Sequence, residues 1–387
     1  MPHVPISILS QESVEPAPEA AKALAKPRDD VFDVAKGLGI LLVFGIHCSN
    51  NSSRLYTDSR SAGWWSLTLL NRFCNFAVPL FLLLSAVLYA RSYAAKPDFG
   101  KFYKRRFTGV LWPYLVWSLL YFGFRMFKEP SARKLIPGNL FGFKCTGPAL
   151  LMHPKERLLE LVWGKASFHL YFLVVLLGII AFLPPTVAYL KWRKAGFIEA
   201  IVASCVIQGG IFILQHNYLK LQFPASTILW YVGSLVPGAW IGMHWDEFRE
   251  KPNRFAIPLT ALSLLSGYIF FKGEIGVFLG IPEENYPTLG SQAMYTSCMA
   301  ILALSLCLSL TVVPAAVKLL KPIGTHSLQL YLIHPIFITV LERPAITHVL
   351  NATYLGAILS PLLMFALTVA TIGIIRVVRL EKPLFGR

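Results

Sequence analysis

Apolar positions fill this chain in long runs, separated by short segments that are polar, basic or proline-rich. Ten runs follow one another: Val31–Ser49, Phe73–Ala90, Phe107–Phe127, Phe168–Leu190, Phe197–Leu214, Thr227–Met243, Phe255–Phe271, Ala293–Val313, Ile323–Glu342 and Tyr354–Val378. Each is about as long as the 17 to 25 residues that carry a helix across ~30 Å of hydrocarbon. The pattern predicts an all-α fold, a polytopic transmembrane helical bundle with about ten spans. Pro184 and Pro185 interrupt the fourth run, and the runs show no internal repeat.

Composition agrees. Of the 387 residues 55% are hydrophobic and only 14% charged, against about 25% charged in soluble domains. The first thirty residues are rich in Pro, Ala and Glu and lack a basic start followed by a long apolar core. They read as a disordered tail and not as a cleaved signal. Residues 31–378 then form one membrane domain and residues 379–387 a short C-terminal tail. The six cysteines show no paired spacing, so neither a disulfide framework nor a zinc site is indicated. No HExxH or CxxC spacing occurs, and no metal is expected.

The formal charge of +16 would suggest nucleic acid in a soluble protein. Here the cations sit in short loops on alternate sides of the runs, which is the pattern of cytoplasmic retention. The segments "RSYAAKPDFGKFYKRR", "KWRK" and "REKPNR", Lys318 with Lys321, and the tail with Arg376, Arg379 and Lys382 share one side. Both termini are therefore expected in the cytoplasm, with no nucleic-acid partner. The long segment Lys128–Lys165 is also basic yet falls on the opposite side.

Within the first run, Lys36 and His47 are eleven residues apart. At ~100° per residue that is ~20° beyond three turns, so both side chains share a stripe, roughly 16 Å apart along the axis. Asp33, three residues before Lys36, can pair with it. Ionisable groups at membrane depth face a wet or protein-lined interior and mark function. Histidine is the commonest general base, and a lysine near the surface suits a phosphate. Snorkelling of Lys36 and an interfacial role for His47 are the structural alternatives.

"DVAKGLGILLVFGIH" resembles the opening helix of the acyltransferase-3 family, whose signature is an arginine, ten residues and a histidine. Lys36 stands at the arginine position and His47 at the histidine position. Four further segments are similar in order: "FAVPLFLLLSAVLYA", with Ser85 and with Ala86 where glycine is usual; "FYKRRFTGVLWPYLVWS", with Arg105 and Arg106; "FHLYFLVVLL", with His169 and with Tyr171 in place of tryptophan; and "IGTHSLQLYLIHPIF", with Tyr331, His334 and Pro335. Thr108 and Gly109 occupy the place of a second basic pair.

The resemblance implies a cell inner membrane O-acyltransferase that moves an acyl group, most simply acetyl, from acyl-CoA to a hydroxyl of a sugar or exopolysaccharide such as cellulose. It implies His47 as the catalytic residue, acting as general base or as an acylated nucleophile. Lys36, Lys104, Arg105 and Arg106 would bind the phosphates of acyl-CoA. His169, Tyr331, His334, Ser85 and Asp33 would bind the acceptor or orient the histidine. Membrane lipid, a carbohydrate acceptor and polysaccharide-synthesis machinery are the implied partners, with no tightly bound cofactor. Trp64, Trp65, Trp112 and Trp117 read as interfacial anchors or sugar platforms. Two other readings stay open: a transporter or lipid-linked-glycan flippase, and a non-catalytic subunit of a synthesis complex. The first lacks the related halves and intramembrane carboxylates such proteins carry.

Overall fold

In hydrocarbon a single segment satisfies its backbone internally only as a helix. The computed structural model describes residues 29–53, 62–140, 143–219, 228–278, 288–341 and 354–386, and these are helical almost throughout. Eight helical stretches among them are long and apolar enough to cross a membrane: Asp30–Ser49, Leu67–Tyr93, Phe99–Lys128, Tyr171–Arg193, Phe197–Leu214, Ala256–Gly273, Ser291–Leu310 and Leu359–Val377. Two shorter apolar helices, Ile228–Met243 and Ser327–Leu341, take the places of the sixth and ninth runs. The chain is a polytopic helical membrane protein. Residues 1–28 of the expected N-terminal tail lie outside the described residues.

The helices are α1 (Asp30–Ser53), α2 (Ala62–Cys74), α3 (Ala77–Tyr93), α4 (Phe99–Arg106), α5 (Trp112–Lys128), α6 (Pro154–Val162), α7 (Tyr171–Arg193), α8 (Phe197–Leu214) and α9 (Val232–Met243). They continue with α10 (Trp245–Glu250), α11 (Pro252–Phe278), α12 (Thr288–Leu310), α13 (Pro314–Thr325), α14 (Ser327–Leu341), α15 (Tyr354–Val377) and α16 (Glu381–Phe385). Helix α1 is the hub, packed against α2, α3, α12, α13, α14 and α15, with Val31, Val34, Ala35 and Ile40 buried. Its closest neighbour is α13. A Cβ on Gly37 would overlap the Leu320 carbonyl oxygen, and one on Gly324 would overlap the Asp33 carbonyl oxygen. Small residues let membrane helices approach this closely.

Three features differ from the hydrophobic pattern. The second span begins at Leu67, not Phe73, because α2 runs into α3 through a turn at Asn75 and Phe76. Pro184 and Pro185 sit inside an unbroken α7. Between α4 and α5 the helix widens into a π turn at Phe107–Leu111, a feature frequent at functional sites. The segment after α5 is more ordered than a loop. It holds an antiparallel hairpin, β1 (Leu135–Leu140) with β2 (Phe143–Pro148), paired from Leu135 with Pro148, and then the amphipathic α6.

Both described ends of the chain gather on one basic face. Asp29 accepts hydrogen bonds from Arg91 at 3.2 Å and from the Trp245 indole at 3.2 Å, and Lys321 pairs with Asp30 at 2.8 Å. At the other terminus, residues 379–386 fold back instead of trailing away. The Trp112 and Trp117 indoles donate to the Pro383 and Leu384 carbonyls at 2.9 and 3.1 Å, and Phe385 is buried. The tail is locked by Arg376, which bonds Glu381 at 2.9 Å and holds its carboxyl below the usual glutamate range. A depressed carboxyl stabilises the fold above its unfolded pKa, and this is lost as pH falls through the folded value. Glu381→Gln is therefore expected to lower the melting temperature in detergent at pH 7. The gap between variant and wild type should close as the buffer is acidified.

Candidate active site

Lys36, Val43 and His47 stand at i, i+7 and i+11 on α1, which puts them on one stripe. The bundle opens two cavities along that stripe. A cavity of about 200 Å³ toward the basic face is lined by Lys36, Ser85, Arg106, Gly109 of the π turn, and Thr325. A second, of about 260 Å³, is lined by His47, His169, Arg72 and Asn75, and by Gln292 and Thr296 of α12. Phe172 and Tyr331 line both cavities. Their ring centroids are 5.4 Å apart, so this aromatic pair is the partition between them.

Three imidazoles converge beside the second cavity. The His47 ring centroid lies 5.2 Å from His334, and His334 lies 5.8 Å from His169. His169 comes from the turn before α7, where its Nδ1 is 3.1 Å from the Ser167 hydroxyl. His334 comes from α14, with Nδ1 3.1 Å from the Leu330 carbonyl oxygen. A carbonyl only accepts, so Nδ1 of His334 carries a proton. The Nε2 atoms of both His169 and His334 are buried without a hydrogen-bond partner among the described residues. Pro335 removes one backbone donor from this turn of α14. His47 itself is only half-buried and makes no hydrogen bond among the described residues. That exposure leaves an imidazole free to meet a reactant. Among the described residues no group of His, Cys, Asp or Glu is arranged to hold a metal ion.

The remaining residues singled out in the sequence divide between the two cavities and the surface. Lys36 pairs with the buried Asp33 carboxylate at 2.5 Å, which places Asp33 beside the lysine. The Arg106 guanidinium sits 5.3 Å from the centre of the Phe102 ring and lines the first cavity. Lys104 and Arg105 are exposed and line neither cavity. Ser85 lies with Lys36 rather than with His47, its hydroxyl donating to the Phe81 carbonyl at 3.0 Å. The Tyr331 hydroxyl donates to the His169 carbonyl, and Tyr121 does the same to Leu332 at 2.7 Å. These two phenols brace the cluster with protons already committed. Trp65 is half-buried in α2.

Arg72 escaped the sequence reading. It stands in the last turn of α2 and lines the cavity of His47. Its signal was a cation abutting an apolar run that begins one residue later, and only the upstream extension of the span places it inside. Asn75, Gln292 and Thr296 were missed for a different reason, since isolated neutral polar residues in an apolar run carry no periodic signature.

A protein-family model described as an acyltransferase domain matches residues 29–378. No curated protein and no solved structure matches the chain. With that domain covering nearly all of a multi-span helical bundle, the chain belongs to the acyltransferase-3 family of membrane acyltransferases.

Proposed function

We propose that this protein is an O-acyltransferase of the cell inner membrane that takes an acyl group, acetyl in the simplest case, from acyl-CoA and places it on a sugar hydroxyl. The observation that carries this reading is the pair of cavities on one stripe of α1, one with cations and the other with imidazoles, sharing the walls Phe172 and Tyr331. The basic face is taken as cytoplasmic because cations are retained there. Phosphates of the donor then meet Lys36 and Arg106, and the thioester extends toward His47 once the Phe172 ring swings aside. The acceptor hydroxyl oxygen attacks the thioester carbonyl while His47 takes its proton as general base. The C–S bond breaks, and the proton passes to the departing thiolate. The products are an ester and free CoA thiol. Extracellular polysaccharides, cellulose among them, are acceptors of the right class.

Two outcomes test the donor side. Lys36→Ala is expected to raise KM for acetyl-CoA by about 10-fold or more, the worth of a charge-assisted contact, with kcat little changed. Lys36→Arg should keep near-wild-type KM. Transfer of labelled acetyl to extracted envelope glycan by purified protein reads both. An unchanged KM in Lys36→Ala would remove the lysine from the donor site.

A further inference from the structure

The span Phe99–Lys128 carries the chain from the basic face to the opposite side of the bundle. There the segment from Lys128 to Lys165 holds seven Lys and Arg against three Glu. Charge-based retention tolerates such an excess in a long external segment but gives no reason for it. Among the described residues all three carboxylates are taken by arginines. Glu129 pairs with Arg125 at 3.7 Å, Glu156 with Arg157 at 3.1 Å, and Glu160 with both at 2.8 and 2.6 Å. Lys128 and Lys165 are left over, both exposed and with no ion-pair partner among the described residues.

Those two lysines line one cavity of about 310 Å³, with Tyr121, Arg125, Ser167 and Phe168. Lys128 is the last residue of α5. Lys165 follows α6, which the Tyr114 hydroxyl holds against α5 by donating to the Leu161 carbonyl. The Lys165 amide donates to the Glu160 carbonyl at 2.7 Å, so the backbone beneath both cations is fixed. This outer cavity borders the imidazoles without opening onto His47. Ser167 and Phe168 line it, and the next residue, His169, lines the cavity of His47. Residues 167–169 are thus the wall between the two. The Phe168 ring centroid is 5.1 Å from His47, and the side chain is 55% exposed. The cavity of His47 shows the same bias: apart from its imidazoles, Arg72 is the one charged side chain among the described residues that line it, and no carboxylate does.

Resting on the acyltransferase reading, we propose that the acceptor is an acidic glycan, a chain of sugars bearing carboxylates. The cavity of Lys128 and Lys165 binds the carboxylate of the sugar next to the one that is acylated. A glycan laid across the Phe168 wall puts one residue on each side of it, the reacting hydroxyl toward His47 and the carboxylate toward the lysines. Two ammonium groups facing one small cavity repel each other. A bound carboxylate removes that repulsion and gains charge-assisted hydrogen bonds. An uncharged glucan such as cellulose would leave both lysines unmatched.

The test is equilibrium binding to the full-length protein in phosphatidylcholine nanodiscs, with free CoA present to occupy the donor cavity. The probes are a fluorescent cello-oligosaccharide and the cellouronic acid of the same length, which differ only at C6, hydroxymethyl in one and carboxylate in the other. The acid chain is expected to bind about ten-fold more tightly at low salt, a preference that shrinks as ionic strength rises. Lys128→Ala and Lys165→Ala should each weaken its binding about three-fold, the scale of one exposed charge contact, and the double variant about ten-fold. Affinity for the neutral chain and the melting temperature should not change, and Lys165→Arg should bind as wild type. His47→Gln should also bind as wild type, so a failure of the enzyme reading leaves this signal intact. Conversely, acetyl transfer to both chains with equal kcat/KM would overturn the proposal and leave the enzyme reading standing. Equal affinity for the two chains, a preference that survives in the double variant, or displacement of the acid chain by phosphatidylglycerol mixed into the bilayer would each overturn it as well.

Discussion

His47→Gln is expected to reduce acyl transfer by about 10²- to 10⁴-fold, the range that a positioned general base supplies, while leaving the affinity for acetyl-CoA within about two-fold. The split follows from the architecture. Lys36 and Arg106 line one cavity and His47 the other, so removing the imidazole leaves the donor's phosphate contacts untouched. Glutamine retains hydrogen-bonding atoms at the site but cannot take a proton at neutral pH. His334→Ala should produce a smaller loss, since that ring contacts His47 from a buried position and does not itself line the cavity. If His334 were merely core packing, its loss would lower the melting temperature without moving the pH profile of transfer. A positioning role instead predicts a displaced profile, with partial recovery in His334→Gln. Isothermal titration with acetyl-CoA, beside initial rates of transfer, separates binding from chemistry in both variants.

Gly324→Val is the substitution expected to damage the protein most outside the histidine cluster. A Cβ at Gly324 meets the Asp33 carbonyl and the Gly37 amide, and one at Gly37 meets the Leu320 carbonyl. Every obstacle is backbone, so no side chain can rotate out of the way and α13 must move off α1. Overpacking of this kind costs about 3 kcal/mol, occasionally more. The displaced helix carries Gly324 and Thr325, which wall the cavity of Lys36, so donor binding should fail along with stability. Gly210→Ala is the matched control: nothing lies within 4 Å of a Cβ there, and alanine favours a helix by about 1 kcal/mol. Melting temperature and monodisperse yield in detergent should fall sharply for the first variant and hold or rise for the second. Equal behaviour would mean that α1 and α13 do not pack through their glycines.

Much of the fold was legible because hydrophobic run length is set by bilayer thickness, and all ten runs became apolar helices, eight of spanning length. The alignment of Lys36 with His47 was legible for a similar reason, since a helix fixes the angle between two of its own residues. Convergence between helices was not. Nothing in the spacing of His47, His169 and His334 shows that the His334 ring lies within 6 Å of each of the other two, and that contact depends on how α14 and the turn before α7 pack on α1. Ser85 illustrates the converse, a motif residue that tertiary packing assigns to the cavity of Lys36 rather than to the histidines. Helix α6 was hidden because a nine-residue amphipathic helix is shorter than any window tuned to membrane spans. Gly37 and Gly324 are two among 27 glycines, and only their mutual approach singles them out.

The most direct measurement uses sealed proteoliposomes with the basic face outward, glycan acceptor trapped inside and labelled acetyl-CoA added outside. Label should build up on the enclosed glycan with wild-type protein and stay at the protein-free level with His47→Gln. Label reaching the glycan at the same rate with and without that imidazole would contradict the account.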